Sequence, residues 1–207
     1  MSMAPCRPST ATWDVKLAGF LFGSVLWWMI GSARSNDVAA AMRLSRRYGM
    51  TVDHAYFMSL AIEEARLGHA AGEQPFGAVV ARDGEVICKT RSLKVSTSDT
   101  TAHSETLAIK CATQKLQQRI ITGCTFYATC EPCPMCLGAI LNAGINTLVL
   151  GARNRHLQDE AILAFHFKDY TAERFAEMTG WDLEVVESVL TDECVQMYRD
   201  AHVELTR

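Results

Sequence analysis

The sequence predicts an α/β fold: a three-layer α/β/α sandwich around a mixed, mostly five-stranded sheet. Three observations carry this. Asp83-Gly84 is a hairpin signal between two β-rich runs. Two strand-helix-strand passages follow, and such crossovers imply parallel pairing with helices on both faces. Finally, 207 residues at 49% hydrophobic content can bury one domain core and leave an appendage.

The elements follow in order. Asp53 is placed to cap a helix from His54 to about Ala71, with Phe57, Met58, Ala61, Ile62 and Ala65 at helical spacing. Glu63, Glu64 and Arg66 fall on its wet side. Phe76 to Ala81 and Glu85 to Leu93 form the hairpin strands. A polar loop, Ser96 to Thr101, leads to a helix from about His103 to Gln117. Thr125 to Thr129 reads as a short buried strand, Cys133 to Ala143 as a helix ended by Gly144, and Leu148 to Ala152 as the next strand. The segment from Thr171 to Met178, a last strand from Leu183 to Val189 and a terminal helix from Asp192 to about Val203 complete the map.

The first 49 residues differ in kind from residues 50–207. Leu17 to Ile30 is an uncharged apolar run of fourteen residues, followed by the small residues Gly31-Ser32-Ala33. It is shorter than the roughly 20 residues of a membrane span and nearer a signal-peptide core, although Asp14 and Trp27-Trp28 fit neither pattern well. A cleaved signal, a short anchor and an upstream extension all stay open, and localisation with them. Residues 1–49 hold six basic and two acidic residues, leaving 14 basic and 21 acidic for the remainder. That acidic balance argues against a nucleic-acid partner, since phosphate neutralisation usually demands basic excess. Lys110, Lys115 and Arg119, with Arg153 and Arg155, are the local exceptions.

The eight cysteines are scattered, which argues against a disulfide framework. Cys88, Cys111 and Cys194 read as small core residues. Cys133 and Cys136 are different. They sit three apart after Pro132, on one face of a helix's first turn, with their thiolates beside its positive end. A third donor, His103, lies thirty residues earlier, and Glu105 follows two residues later. Three ligands and a spare carboxylate suit catalytic zinc, which keeps a position for water, better than structural zinc, which is closed by four. Taken without His103, the cysteine pair fits a redox dithiol or a structural site equally well. Cys130 is either a fourth ligand or packing beneath the helix. His103 and Glu105, two apart, would diverge in mid-helix, so both metal-bearing segments are expected at helix N-termini, arriving from neighbouring strands at one end of the sheet.

His103-x-Glu105 followed by Pro132-Cys133-x-x-Cys136 resembles the signature of the zinc-dependent cytosine, adenosine and guanine deaminases. The resemblance runs from about Met50 to Glu204. It is carried also by Pro75-Phe76-Gly77-Ala78-Val79-Val80 and by Cys130 to Ile140, which look like the guanine and nucleoside deaminase branch. It implies a cytidine deaminase-like fold, Zn2+ held by His103, Cys133 and Cys136, Glu105 as proton shuttle, and a homodimer.

The same resemblance implies a pocket walled by Phe76, Gly77 and Ala78, with Asn154 and His156 on the ligand side of the sheet. Ser92 stands where guanine and tRNA adenosine deaminases often place a base-contacting asparagine. His156 stands about where guanine deaminases carry an acid, and Ser104 replaces the more usual alanine. The expectation is therefore a hydrolase of a free nucleobase or nucleoside, guanine-like purines first and cytosine second, with zinc-bound hydroxide as the attacking group. A tRNA wobble adenosine deaminase and a non-catalytic zinc-stabilised binding module are the alternatives. His54 and His69 read as helix-end or surface residues, Trp181 as packing, and His166 as core or pocket wall.

Overall fold

The computed structural model describes residues 52–158 and 168–205. The apolar run 17–30, the possible cleavage region and His166 lie outside these residues. Among the described residues, no helix is long and apolar enough to cross a membrane.

Helix α1 spans His54–Ala70, and Asp53 Oδ1 accepts the Tyr56 N–H at 3.0 Å, the predicted cap. Strands β1 (Gly77–Arg82) and β2 (Glu85–Arg91) form the hairpin. Both turn residues, Asp83 and Gly84, have positive φ (53° and 82°), as the two-residue loop requires. The polar loop that follows contains a one-turn helix that the sequence did not announce, α2 (Lys94–Thr97). Then come α3 (Ser104–Leu116), β3 (Thr125–Cys130), α4 (Pro134–Asn142), β4 (Thr147–Ala152) and the short α5 (Asn154–Gln158). Helix α6 (Ala172–Thr179), β5 (Glu184–Val186) and α7 (Thr191–Leu205) complete the chain order.

The sheet is mixed, in the order β2-β1-β3-β4-β5. β1 is antiparallel to both β2 and β3, while β3, β4 and β5 run parallel. The links from β3 to β4, through α4, and from β4 to β5 each join adjacent parallel strands. The passage from β2 through α3 to β3 straddles β1, so the two metal-bearing helices do not follow neighbouring strands as expected. Alternation along each strand divides the core. Val80, Phe126, Ala128, Leu148 and Leu150 face α3, α4 and α6, whereas Val79, Tyr127 and Val149 face α1 and α7. This is the predicted three-layer sandwich.

Three expectations fail on packing. Glu64 is buried rather than wet, and pairs with Lys89 (3.3 Å) and Arg91 (3.1 Å) of β2. Cys88 and Cys111, expected as free core thiols, form a disulfide between β2 and α3. Trp181, expected to pack, is 44% exposed. None of these partners is visible locally, since each comes from another element.

Candidate metal centre and its relatives

His103 is the N-cap of α3 and Cys133 the N-cap of α4, both in extended backbone, so the two helices begin at the candidate site. Pro134 opens α4, where a missing N–H costs nothing. Cys136 lies one turn in and is fully buried. The donor atoms of His103, Cys133 and Cys136 all lie within 4.8 Å of one another. His103 Nδ1 is 3.4 Å from Cys136 Sγ and 3.9 Å from Cys133 Sγ. Tetrahedral zinc with usual bond lengths separates sulfur and nitrogen ligands by about 3.6 Å. Two thiols and an imidazole at this spacing therefore fit zinc in both size and softness.

Electrostatics within the cluster are uneven. A hydrogen bond from Cys136 and the neighbouring His103 bring the Cys133 thiol down to about 4. The Cys136 thiol moves up, through Cys133 first and burial second. The hydrogen bond to Cys133 raises His103, outweighing partial burial. Glu105 sits on the first turn of α3, buried, with its carboxyl raised by desolvation. Ser104 Oγ donates to Glu105 Oε2 at 2.8 Å. Being at the helix start, His103 and Glu105 escape the divergence that a helix interior would impose.

Cys130 is buried, and its Sγ donates to Asn154 Oδ1 at 3.7 Å; burial pushes its thiol well up. It is not among the three grouped donors. Asn154 is itself buried, and its side-chain N–H₂ has no hydrogen-bond partner among the described residues. His156 is half-buried, with Nδ1 accepting the Arg153 N–H at 3.3 Å. The Ser92 hydroxyl accepts the Lys94 N–H at 3.5 Å, a local bond at the start of α2.

The segment expected to wall the pocket makes packing contacts of its own. The Phe76 ring packs on Tyr198, with centroids 5.4 Å apart. A Cβ on Gly77 would lie 1.9 Å from the Ala61 carbonyl oxygen, so the close approach this glycine permits is to helix α1. The Ala78 side chain is fully buried in the core.

Sequence reading missed two supports of the cysteine turn. Glu131 is buried and accepts Arg153 Nη1 (3.0 Å), Ala172 N–H (2.9 Å) and Asn154 N–H (3.1 Å). The Tyr170 hydroxyl donates to the Pro132 carbonyl at 2.7 Å. Arg153, read as a basic spot, has its side chain only 8% exposed and surrounded by Glu131, Glu173 and Glu187. Burial opposes its charge, and the three carboxylates more than offset that. His54 also gains an unforeseen partner, its Nδ1 lying 3.1 Å from the Tyr127 hydroxyl.

The model of the MafB19-like deaminase family matches residues 52–180, more than half of the chain. The chain belongs to the MafB19-like deaminase family. Its place there makes it a hydrolytic deaminase of the cytidine deaminase-like superfamily. This family member is 36% identical over 145 residues to the tRNA-specific adenosine deaminase of Bacillus subtilis, covering 70% of the chain and 85% of the relative. It is 43% identical over 107 residues to the chloroplastic tRNA(adenine(34)) deaminase of Arabidopsis thaliana. That match takes in 52% of the chain but only 8% of the relative's length. Among solved structures it resembles the guanine deaminase of Nitrosomonas europaea, with a TM-score of 0.64 and 25% identity, covering 74% of the chain and 86% of that protein.

These relatives overturn the expectation of a free nucleobase or nucleoside substrate. Curated relatives at 36–43% identity are tRNA adenosine deaminases. Net charge sums every face of a molecule, so the acidic balance does not exclude a local face that binds nucleic acid.

Proposed function

We propose that this MafB19-like deaminase converts an adenosine of tRNA to inosine, at the wobble position, with zinc as its cofactor. The run of tRNA adenosine deaminases among its relatives carries the substrate. The His103-Cys133-Cys136 cluster with Glu105 buried beside it carries the chemistry.

His103 Nδ1 and the sulfurs of Cys133 and Cys136 would hold the ion. Zinc bound there supplies Lewis acidity and lowers the pKa of water toward neutrality. Glu105 accepts one proton that water gives up and delivers it to N1 of the adenine ring, then carries the second proton, from the hydroxyl added at C6, to the amine that leaves as ammonia. Water and adenosine become inosine and ammonia. Its buried setting keeps the Glu105 carboxyl at the raised pKa that a group alternating between base and acid requires. Ser104 orients Oε2, and Glu131 and Tyr170 hold the cysteine turn in register from behind. Asn154 and His156, at the end of β4, remain candidates for contacts to the nucleoside.

The test incubates the full-length, metal-replete chain with a tRNA anticodon stem-loop bearing adenosine at the wobble position, reading inosine by mass spectrometry. Inosine is expected there, with no ammonia from free guanine, adenine or cytosine. Glu105→Gln is expected to keep about one zinc per chain and lose turnover by about 10²–10⁴-fold. Ammonia from a free base without inosine in the stem-loop overturns the substrate; a fully active Gln variant overturns the shuttle. Sedimentation of the same preparation tests the homodimer implied by the family resemblance.

A further inference from the structure

We propose that Glu73 is a positioning residue that latches helix α2 beside the candidate metal centre and so sets how tightly the substrate strand is held. The identity of that strand rests on the tRNA reading above, whereas the latch rests on geometry alone.

Helix α2 has no buried residue, so apolar packing does not fix its position. Its tie to the body of the domain is a carboxylate from a distant part of the chain. Glu73, between α1 and β1, is only 5% exposed. Its Oε2 accepts the Val95 N–H at 2.9 Å and its Oε1 accepts the Ser96 N–H at 2.7 Å. These are first-turn amides, which have no partner within the helix, and the helix end favours a negative charge there. Hydrogen bonding from Ser96 in turn holds the Glu73 carboxyl below its ordinary range.

The loop carrying α2 is closed at its base. The Leu93 N–H donates to the Ala102 carbonyl at 3.0 Å, immediately before His103. Asp99 Oδ1 accepts the Thr101 N–H at 2.8 Å and the Thr101 hydroxyl at 2.7 Å, stiffening the return. A latch on α2 therefore acts on a loop anchored next to a candidate metal ligand.

The latch also places a charge. Lys94 is half-buried and forms no ion pair among the described residues, and it follows Leu93, whose N–H is bonded to the Ala102 carbonyl one residue before His103. Val95, beside it, is 61% exposed. A lysine ammonium next to an apolar side chain, on a loop that closes beside a candidate metal ligand, suits the phosphate and sugar flanking a target nucleotide. Without the carboxylate, α2 loses its tie and Lys94 its fixed position. Chemistry at Glu105 is untouched.

The test compares wild type, Glu73→Ala, Glu73→Gln, Lys94→Ala and the Glu73→Ala/Lys94→Ala double variant, as full-length metal-replete chains. Amide exchange of Val95 and Ser96 is expected to accelerate at least about tenfold in Glu73→Ala, and less in Glu73→Gln, which keeps one acceptor. KM for the stem-loop is expected to rise about tenfold, with kcat within about threefold of wild type and zinc content unchanged. If the latch acts by placing Lys94, the double variant should be no worse than Lys94→Ala. Unchanged exchange, an unchanged KM, or additive losses in the double variant would overturn the proposal. Should Glu73→Ala fail to fold, the same measurements on Glu73→Gln decide it. If wild type makes no inosine, the substrate reading has failed, and exchange at Val95 and Ser96 alone decides the latch.

Discussion

Ser104 Oγ and Glu105 Oε2 are joined by a 2.8 Å hydrogen bond at the buried start of α3. The serine thus supplies a donor to the carboxylate proposed as the proton shuttle. Ser104→Ala should keep its zinc and lower kcat about tenfold, the scale of one hydrogen bond to a charged acceptor. Steady-state kinetics on the stem-loop with zinc analysis checks this, and an unchanged kcat would make the serine dispensable.

Arg153 and Glu131 form a buried ion pair, with side chains 8% and 2% exposed. Arg153→Met leaves the Glu131 carboxylate buried without its cation. The expected cost is about 3–5 kcal/mol, read as a lower urea midpoint. The Glu131→Gln/Arg153→Met double variant, which removes both charges, should recover part of that loss. Equal stability of the single variant and wild type would contradict a working pair.

Glu173 also meets Arg153, at 2.9 Å, and that hydrogen bond holds its carboxyl below the ordinary glutamate range. A depressed carboxylate stabilises the fold above its unfolded pKa and loses that contribution as pH falls through the folded value. Glu173→Gln should therefore be less stable than wild type at pH 7. The gap should close on acidification below about pH 4. Urea titrations of both proteins at pH 7 and pH 3 give the comparison; a gap of equal size at both would exclude this linkage.

Cys88 and Cys111 close a loop of sequence separation 23. Loop-closure entropy for that length is about 3 kcal/mol. Cys88→Ser should be less stable than wild type by about that amount under oxidising conditions, and the difference should shrink once wild type is reduced. Free thiols at both positions in the oxidised, folded protein would rule the bridge out.

Much of the site was legible in the sequence because its spacing is local. Pro132 and Pro134 fix where α4 starts, which puts Cys133 and Cys136 on one turn. His103-x-Glu105 could share a site only at a helix start, and His103 is the N-cap. The hairpin was equally plain, since two residues of positive φ must fill a turn of that length. The substrate was not legible. Net charge carries no record of which face a charge occupies, and Arg153, counted as a basic spot, proved to be sealed among three glutamates.

By itself, the sequence determined the layers, the donor set and the helix-start geometry, because each follows from residue type and short-range periodicity. Only the tertiary structure decided the long-range partners. It placed β1 between β2 and β3, bonded Cys88 to Cys111, pressed α1 against Gly77 and turned Glu73 onto α2. Each of those contacts joins segments that carry no local sign of one another, and burial leaves a polar or close-packed group little choice but to find its partner across the fold.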